Sequence, residues 1–224
     1  MWQHQSASLG THPAVMEILS ERLAFWFLRL NGFLTTTNFI VHRDDGAGQH
    51  TDVDVLALRF PHRIENQIRP LQDYPVLVDA TRVQLVLAEA KMAGCGFNRA
   101  WMDPQFGNMR RILAAVGLFE GERLEQASQG LYDAGEWSDE TYRVRLLAFG
   151  GRRNRTLARA RMPQVPQLLW RTDVLPFIHE RFWAYRNEKR HHQQWDEDAK
   201  NLFRAMLKHG DNVEGFIQEV RVVE

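Results

Sequence analysis

The sequence predicts an α/β fold in which a small mixed sheet is flanked by helices. Two stretches carry most of that expectation: TDVDVLALRF, starting at Thr51, and QLVLAEAKM, ending at Met92. Both are β-branched runs of largely apolar residues, as expected of strands covered on two faces rather than one. Helical stripes stand before and after them, the third observation. The 224 residues, 44% hydrophobic, suffice for one packed domain, or one domain with an appendage.

In chain order, apolar positions Val15, Ile18, Leu19, Leu23, Trp26, Phe27 and Leu30 predict a helix from about Pro13 to Asn31, stopped by Asn31-Gly32. Phe33 to His42 is aromatic and β-branched and reads as a strand. The Gly/Asp turn RDDGAGQH then returns the chain antiparallel into a strand over about Asp52 to Phe60. Residues 61–81 hold three prolines and read as a surface excursion. A third strand covers Val83 to Met92. Phe106, Met109, Ile112, Leu113 and Val116 mark a helix over about Pro104 to Val116, ended by Gly117. Residues 119–140, acidic and glycine-dotted, read as a loop with one helical turn. Tyr142 to Phe149 is a fourth strand. Two helices, about Val174 to Lys189 and Trp195 to His209, complete the chain.

Composition narrows the function classes. No apolar run reaches the roughly 18 residues needed to span a bilayer, and the N-terminal stretch lacks the pattern of a secretory signal. The single cysteine, Cys95, excludes an internal disulfide and a cysteine zinc cage, so a reducing, cytoplasmic setting is expected. With 28 basic and 28 acidic residues, the chain does not coat nucleic acid by bulk charge; a local basic face beside an acidic pocket remains compatible with it.

The chemistry lies at the strand ends. Asp52 and Asp54 open one run; Glu89 and Lys91 close the other, two residues apart and on one strand face. Carboxylates brought together this way suit hard Mg²⁺ or Mn²⁺, with the Ala90 carbonyl as a further ligand and Lys91 beside the developing phosphate charge. The bland alternative is a solvated hairpin whose Glu89–Lys91 pair is worth little. The apolar setting of both runs weighs against it.

A helix, a strand ending D-V-L-A-L, a strand ending E-A-K, then helix and strand resembles the PD-(D/E)XK, or restriction-endonuclease-like, nuclease superfamily. The resemblance covers roughly residues 13–150 and implies an αβββαβ core that cleaves DNA phosphodiesters with Mg²⁺. It maps the first motif acid onto Asp54 and E-x-K onto Glu89-Ala90-Lys91. It also implies a glutamate on the first helix, for which Glu21 is preferred over Glu17. The proline of the motif is replaced by Val53, and Asp52 is an additional candidate ligand that could substitute for Asp54. On this reading residues 1–150 are the nuclease-like core, and 151–224 a basic linker and C-terminal helical extension on the same domain. Phage defence, restriction and repair are the expected settings. The competing expectation is a catalytically silent binding or assembly module of a larger complex.

Arg152, Arg153, Arg155, Arg159 and Arg161 form a phosphate-contacting candidate after the fourth strand. Arg110 and Arg111 on the second helix are weaker candidates; the resemblance implies that this helix flanks the substrate groove, so Gln105 and Asn108 at its start could approach the active site and contact DNA. Because a nuclease that cuts both strands commonly dimerises, the C-terminal helices are an expected surface for a second copy or a partner protein. The histidines of HHQQWDED, without supporting cysteines, read as a solvated helix boundary rather than a metal site.

Overall fold

A computed structural model describes residues 15–65, 67–68, 70–155, 162, 164–191 and 196–224. Its elements in order are β1 (Met16–Leu19), α1 (Ser20–Leu30), β2 (Leu34–His42), β3 (Gln49–Arg59), β4 (Val83–Ala90), α2 (Arg99–Met102), α3 (Asn108–Val116), α4 (Gly121–Ala134), β5 (Glu136–Ser138), β6 (Tyr142–Gly150) and β7 (Gln167–Leu169). Then come a wide helical turn at Trp170–Val174, α5 (Leu175–Ala184), α6 (Arg186–Lys189), α7 (Glu197–His209), α8 (Val213–Glu219) and β8 (Val220–Val223). The main sheet runs β2-β3-β4-β6-β5, with β7 also paired to β6. It is mixed: β3 is antiparallel to both its neighbours, β2 and β4, whereas β4 and β6 are parallel. β1 and β8 form a separate two-stranded parallel ribbon.

Helices cover both faces, so this is an α/β layered fold. On one face Leu23, Ala24 and Phe27 of α1 pack with Val86, Ala88 and Leu147 of the sheet, and with Ile178, Leu202 and Phe216 of the C-terminal helices. On the other, Trp101, Ile112, Leu113, Ala127 and Leu131 of α2–α4 meet Leu85, Leu87, Val144 and Leu146. β4 is therefore buried on both sides from Gln84 onward, which is why its sequence does not alternate. Among the described residues no helix is long and apolar enough to cross a membrane.

Three expectations need correction. Residues 16–19 are a strand, not the first turns of a helix, because their backbone pairs with β8; Pro13 lies outside the described residues. Residues 119–140 hold the 14-residue helix α4 and strand β5 rather than a loop. Leu124, Ala127 and Leu131 supply a buried stripe there, and Gly130 is needed because a Cβ would come 2.7 Å from Trp137 Cβ. The second helix is shorter than expected: α3 starts at Asn108, after a 3₁₀ turn at Pro104–Phe106.

Candidate active site

The β3–β4 ladder ends at the pair Val55–Ala88, and the next residues on each strand are Asp54 and Glu89. Instead of another backbone pairing, Asp54 Oδ2 accepts the Ala90 N–H at 2.8 Å. The local backbone explains how a side chain comes to replace a ladder bond. Asn38 stands opposite Asp54 on β2, has φ +53° and is skipped in the register between Thr37–Val55 and Phe39–Val53. Val53 belongs to one hydrophobic core and Val55 to the other, although residues two apart on a regular strand share a face. Side-chain alternation thus reverses at Asp54, the kind of strand irregularity that re-aims a side chain.

The E-x-K segment is held from several directions. Glu89 and Ala90 are aligned with Ala148 and Phe149 of β6. The Lys91 N–H donates to Phe149 O at 3.1 Å, and Trp170 Nε1–H donates to Lys91 O at 3.0 Å while its ring stacks on Phe149. Ser20 Oγ donates to Ala90 O at 3.3 Å, joining the start of α1 to the same point and leaving the carbonyl's second lone pair. Leu19, Ser20, Glu21, Asp54, Ala90, Lys91 and Glu224 line one cleft of about 380 Å³. Glu21 is in the first turn of α1. Sequence reading missed Ser20, Trp170 and Glu224.

Glu89 does not line that cleft; its side chain is 2% exposed, and its Oε1 is 2.6 Å from Nζ of Lys91, which does. This close ion pair is not a well-directed hydrogen bond: Oε1 is buried and lacks a donor aimed at it. Burial, followed by the charge of Asp54, pushes the Glu89 carboxyl up to about 7 against the pull of Lys91; the Asp52 charge adds to the rise. Asp54 is also raised, by burial and by Asp52, although the Ala90 N–H and Lys91 oppose it. Burial alone would lower Lys91. Contact with Glu89, together with the charges of Glu89, Asp54 and Glu224, instead raises it, so the ammonium is retained. Two carboxylates compete here for one lysine.

Such a set fits a hard divalent cation. Asp54 and Glu89 supply carboxylate oxygens, Glu89 Oε1 lacks a directed donor, and the Ala90 carbonyl is adjacent. Among the described residues no three His, Cys, Asp or Glu side chains form a preformed cage. The residues that could hold an ion there are two carboxylates and a carbonyl. Asp52 does not line the cleft and acts on it through its charge.

The other predicted residues are distributed differently. Arg152, Arg153 and Arg155 are exposed. The Arg152 carbonyl accepts the Cys95 N–H at 3.0 Å, and a Cβ on Gly150 would come within 2.3 Å of Cys95 N, so this loop sits against the segment that follows Lys91. Arg159 and Arg161 lie outside the described residues. Gln105 is exposed but lines a separate depression with Phe97, Arg99 and Met102. Asn108 is buried and its amide nitrogen donates, with Trp101 Nε1–H, to Thr51 Oγ1, so it braces β3 and does not line the cleft. His179 and His209 also have structural partners, Gly210 O and Glu219 Oε2 respectively. Compared with family models, curated proteins and solved structures, the chain finds no match.

Proposed function

We propose that the protein is a divalent-metal-dependent nuclease of the PD-(D/E)XK kind, acting on DNA. The observation that carries this reading is the convergence of Glu21, Asp54, Ala90 and Lys91 on one cleft, with Glu89 paired to that lysine. The order α1-β2-β3-β4-α3-β6 supports it, since it is the αβββαβ order of that superfamily. Asp54 and Glu89 would hold Mg²⁺ or Mn²⁺, with the Ala90 carbonyl as a third ligand. When bound, such an ion supplies Lewis acidity at a phosphate oxygen and a lowered pKa for an attacking water.

The protein's own groups divide the remaining work. Lys91 stays protonated and stabilises negative charge on the phosphate as water adds and the ester oxygen leaves. Glu21 orients water from the start of α1. Exposed Arg152, Arg153 and Arg155 provide sequence-independent contacts to backbone phosphates. A second reading draws on the closed Glu89–Lys91 pair: if lysine alone satisfies the carboxylate, the chain is a nuclease-like binding or assembly module. Plasmid incubated with Mg²⁺ or Mn²⁺ and wild type, Lys91→Ala or Asp54→Ala separates the readings. Cleavage lost in both variants supports the nuclease; cleavage that persists unchanged in both removes this site assignment. No cleavage by wild type, with DNA or a protein still bound, favours the module.

A further inference from the structure

β8 lies parallel to β1, with Val223 opposite Leu19, and the next residue on each strand reaches the cleft: Ser20 from one, Glu224 from the other. Glu224 Oε1 accepts the Met92 N–H at 3.3 Å. That amide is the first one after Lys91, beyond the end of β4 at Ala90. Lys91 is already clamped at its own N–H by Phe149 O and at its carbonyl by Trp170 Nε1. Glu224 adds a clamp on the following amide. Core packing of β8 is supplied by other residues, since Val220 is buried and Val222 packs against the same core. Arg221 makes an exposed pair with Glu17 on β1. Glu224 contributes to neither.

We propose that Glu224 is a positioning residue of the cleft, fixing the Lys91–Met92 peptide so that the Lys91 ammonium stays paired to Glu89, which makes β8 a working part of the site. The catalytic consequence rests on the nuclease reading; the clamp itself does not. The test combines DNA cleavage kinetics with hydrogen exchange at the Met92 amide, for wild type, Glu224→Ala, Glu224→Gln and Arg221→Ala. Glu224→Ala is expected to lose about tenfold in kcat with KM for DNA changed less than about twofold, and to speed Met92 exchange about tenfold, on the scale of one hydrogen bond. Glu224→Gln keeps an acceptor oxygen and is expected to recover most of both losses. Arg221→Ala, which removes only the exposed pair with Glu17 and leaves the clamp in place, should match wild type. Wild-type kcat in Glu224→Ala overturns the proposal, as do equal losses in Glu224→Ala and Glu224→Gln accompanied by equal drops in Tm. If wild type cleaves nothing, the nuclease reading fails and the catalytic role falls with it. Met92 exchange then decides the clamp alone, and exchange unchanged in Glu224→Ala overturns that too.

Discussion

Two carboxylates with little exposed side chain, one before β4 and one at its end, respond in opposite directions. The side chain of Asp79 is 4% exposed and that of Glu89 2%. Burial alone would raise both. Asp79 nevertheless stays below its usual range, because the Thr81 and Arg82 N–H groups and the Thr81 hydroxyl donate to it and Arg82 adds a cation. Glu89 is pushed to about 7, because its neighbours include Asp54 and its single cation is Lys91. Glu89 lies deeper among protein atoms than Asp79 and also has fewer donors, and both differences push the pair apart. A carboxylate amply supplied with donors is a fixture of the fold, whereas one left short has affinity to offer a cation.

Breaking each end should therefore damage different properties. The largest effect is expected at the cleft. Glu89→Gln should lower DNA cleavage by about 10²–10³-fold, the range for losing one electrostatic element of a site, while Asp79→Asn should leave cleavage near wild type. Plasmid-nicking rates measured side by side check this.

The next effect is on pH dependence. Folded Glu89 holds its proton more tightly than the unfolded chain, whose carboxyl titrates near 4.5. Between that pH and about 7 the folded state therefore binds more proton, and wild-type stability should fall as pH rises through the window. The loss is about 3 kcal/mol at most, taking 1.36 kcal/mol per unit. Denaturant unfolding at a series of pH values should show this slope in wild type and not in Glu89→Gln, which should be the more stable protein at pH 8. Asp79 has the opposite sign. Its stabilisation is present above the unfolded pKa and is lost as pH falls through its lowered folded value. Asp79→Ala should accordingly cost about 2 kcal/mol at neutral pH, the scale for orphaning donors to a buried charged acceptor, read from the same unfolding curves.

The smallest effect concerns the support of Lys91. Trp170→Phe keeps a ring to stack on Phe149 but removes the indole donor to Lys91 O. It should cost about 1 kcal/mol in unfolding free energy. A loss above about 3 kcal/mol would show that ring packing, not the hydrogen bond, holds that end of β4.

The parts legible in the sequence are those fixed by local pattern. β4 is an apolar run because both faces are covered, and the Asp54 and Glu89-Ala90-Lys91 positions are read directly at the ends of such runs. What was missed depends on contacts distant in sequence. Ile18 and Leu19 suit a helical period; only pairing with β8, some 200 residues later, makes them strand. Glu224 is 132 residues from its partner Met92 and follows a short strand with no motif. Asn108 reads as an exposed helix start, yet Thr51 draws its amide inward. α4 is a different case. Its Leu124–Ala127–Leu131 stripe is present in the sequence but overshadowed by Gly117, Gly121, Gly130 and Gly135.

Calorimetric titration of Mn²⁺ into wild type, Glu89→Gln and Asp54→Asn near neutral pH tests most directly whether the donor-poor carboxylate pair is a cation site. The expected result is binding to wild type with a heat that depends on the buffer, because Glu89, with its carboxyl near 7, releases part of a proton as the ion enters. Each variant should bind at least about tenfold more weakly, the cost of losing one charged ligand. No binding to wild type, or equal binding by all three proteins, would contradict it.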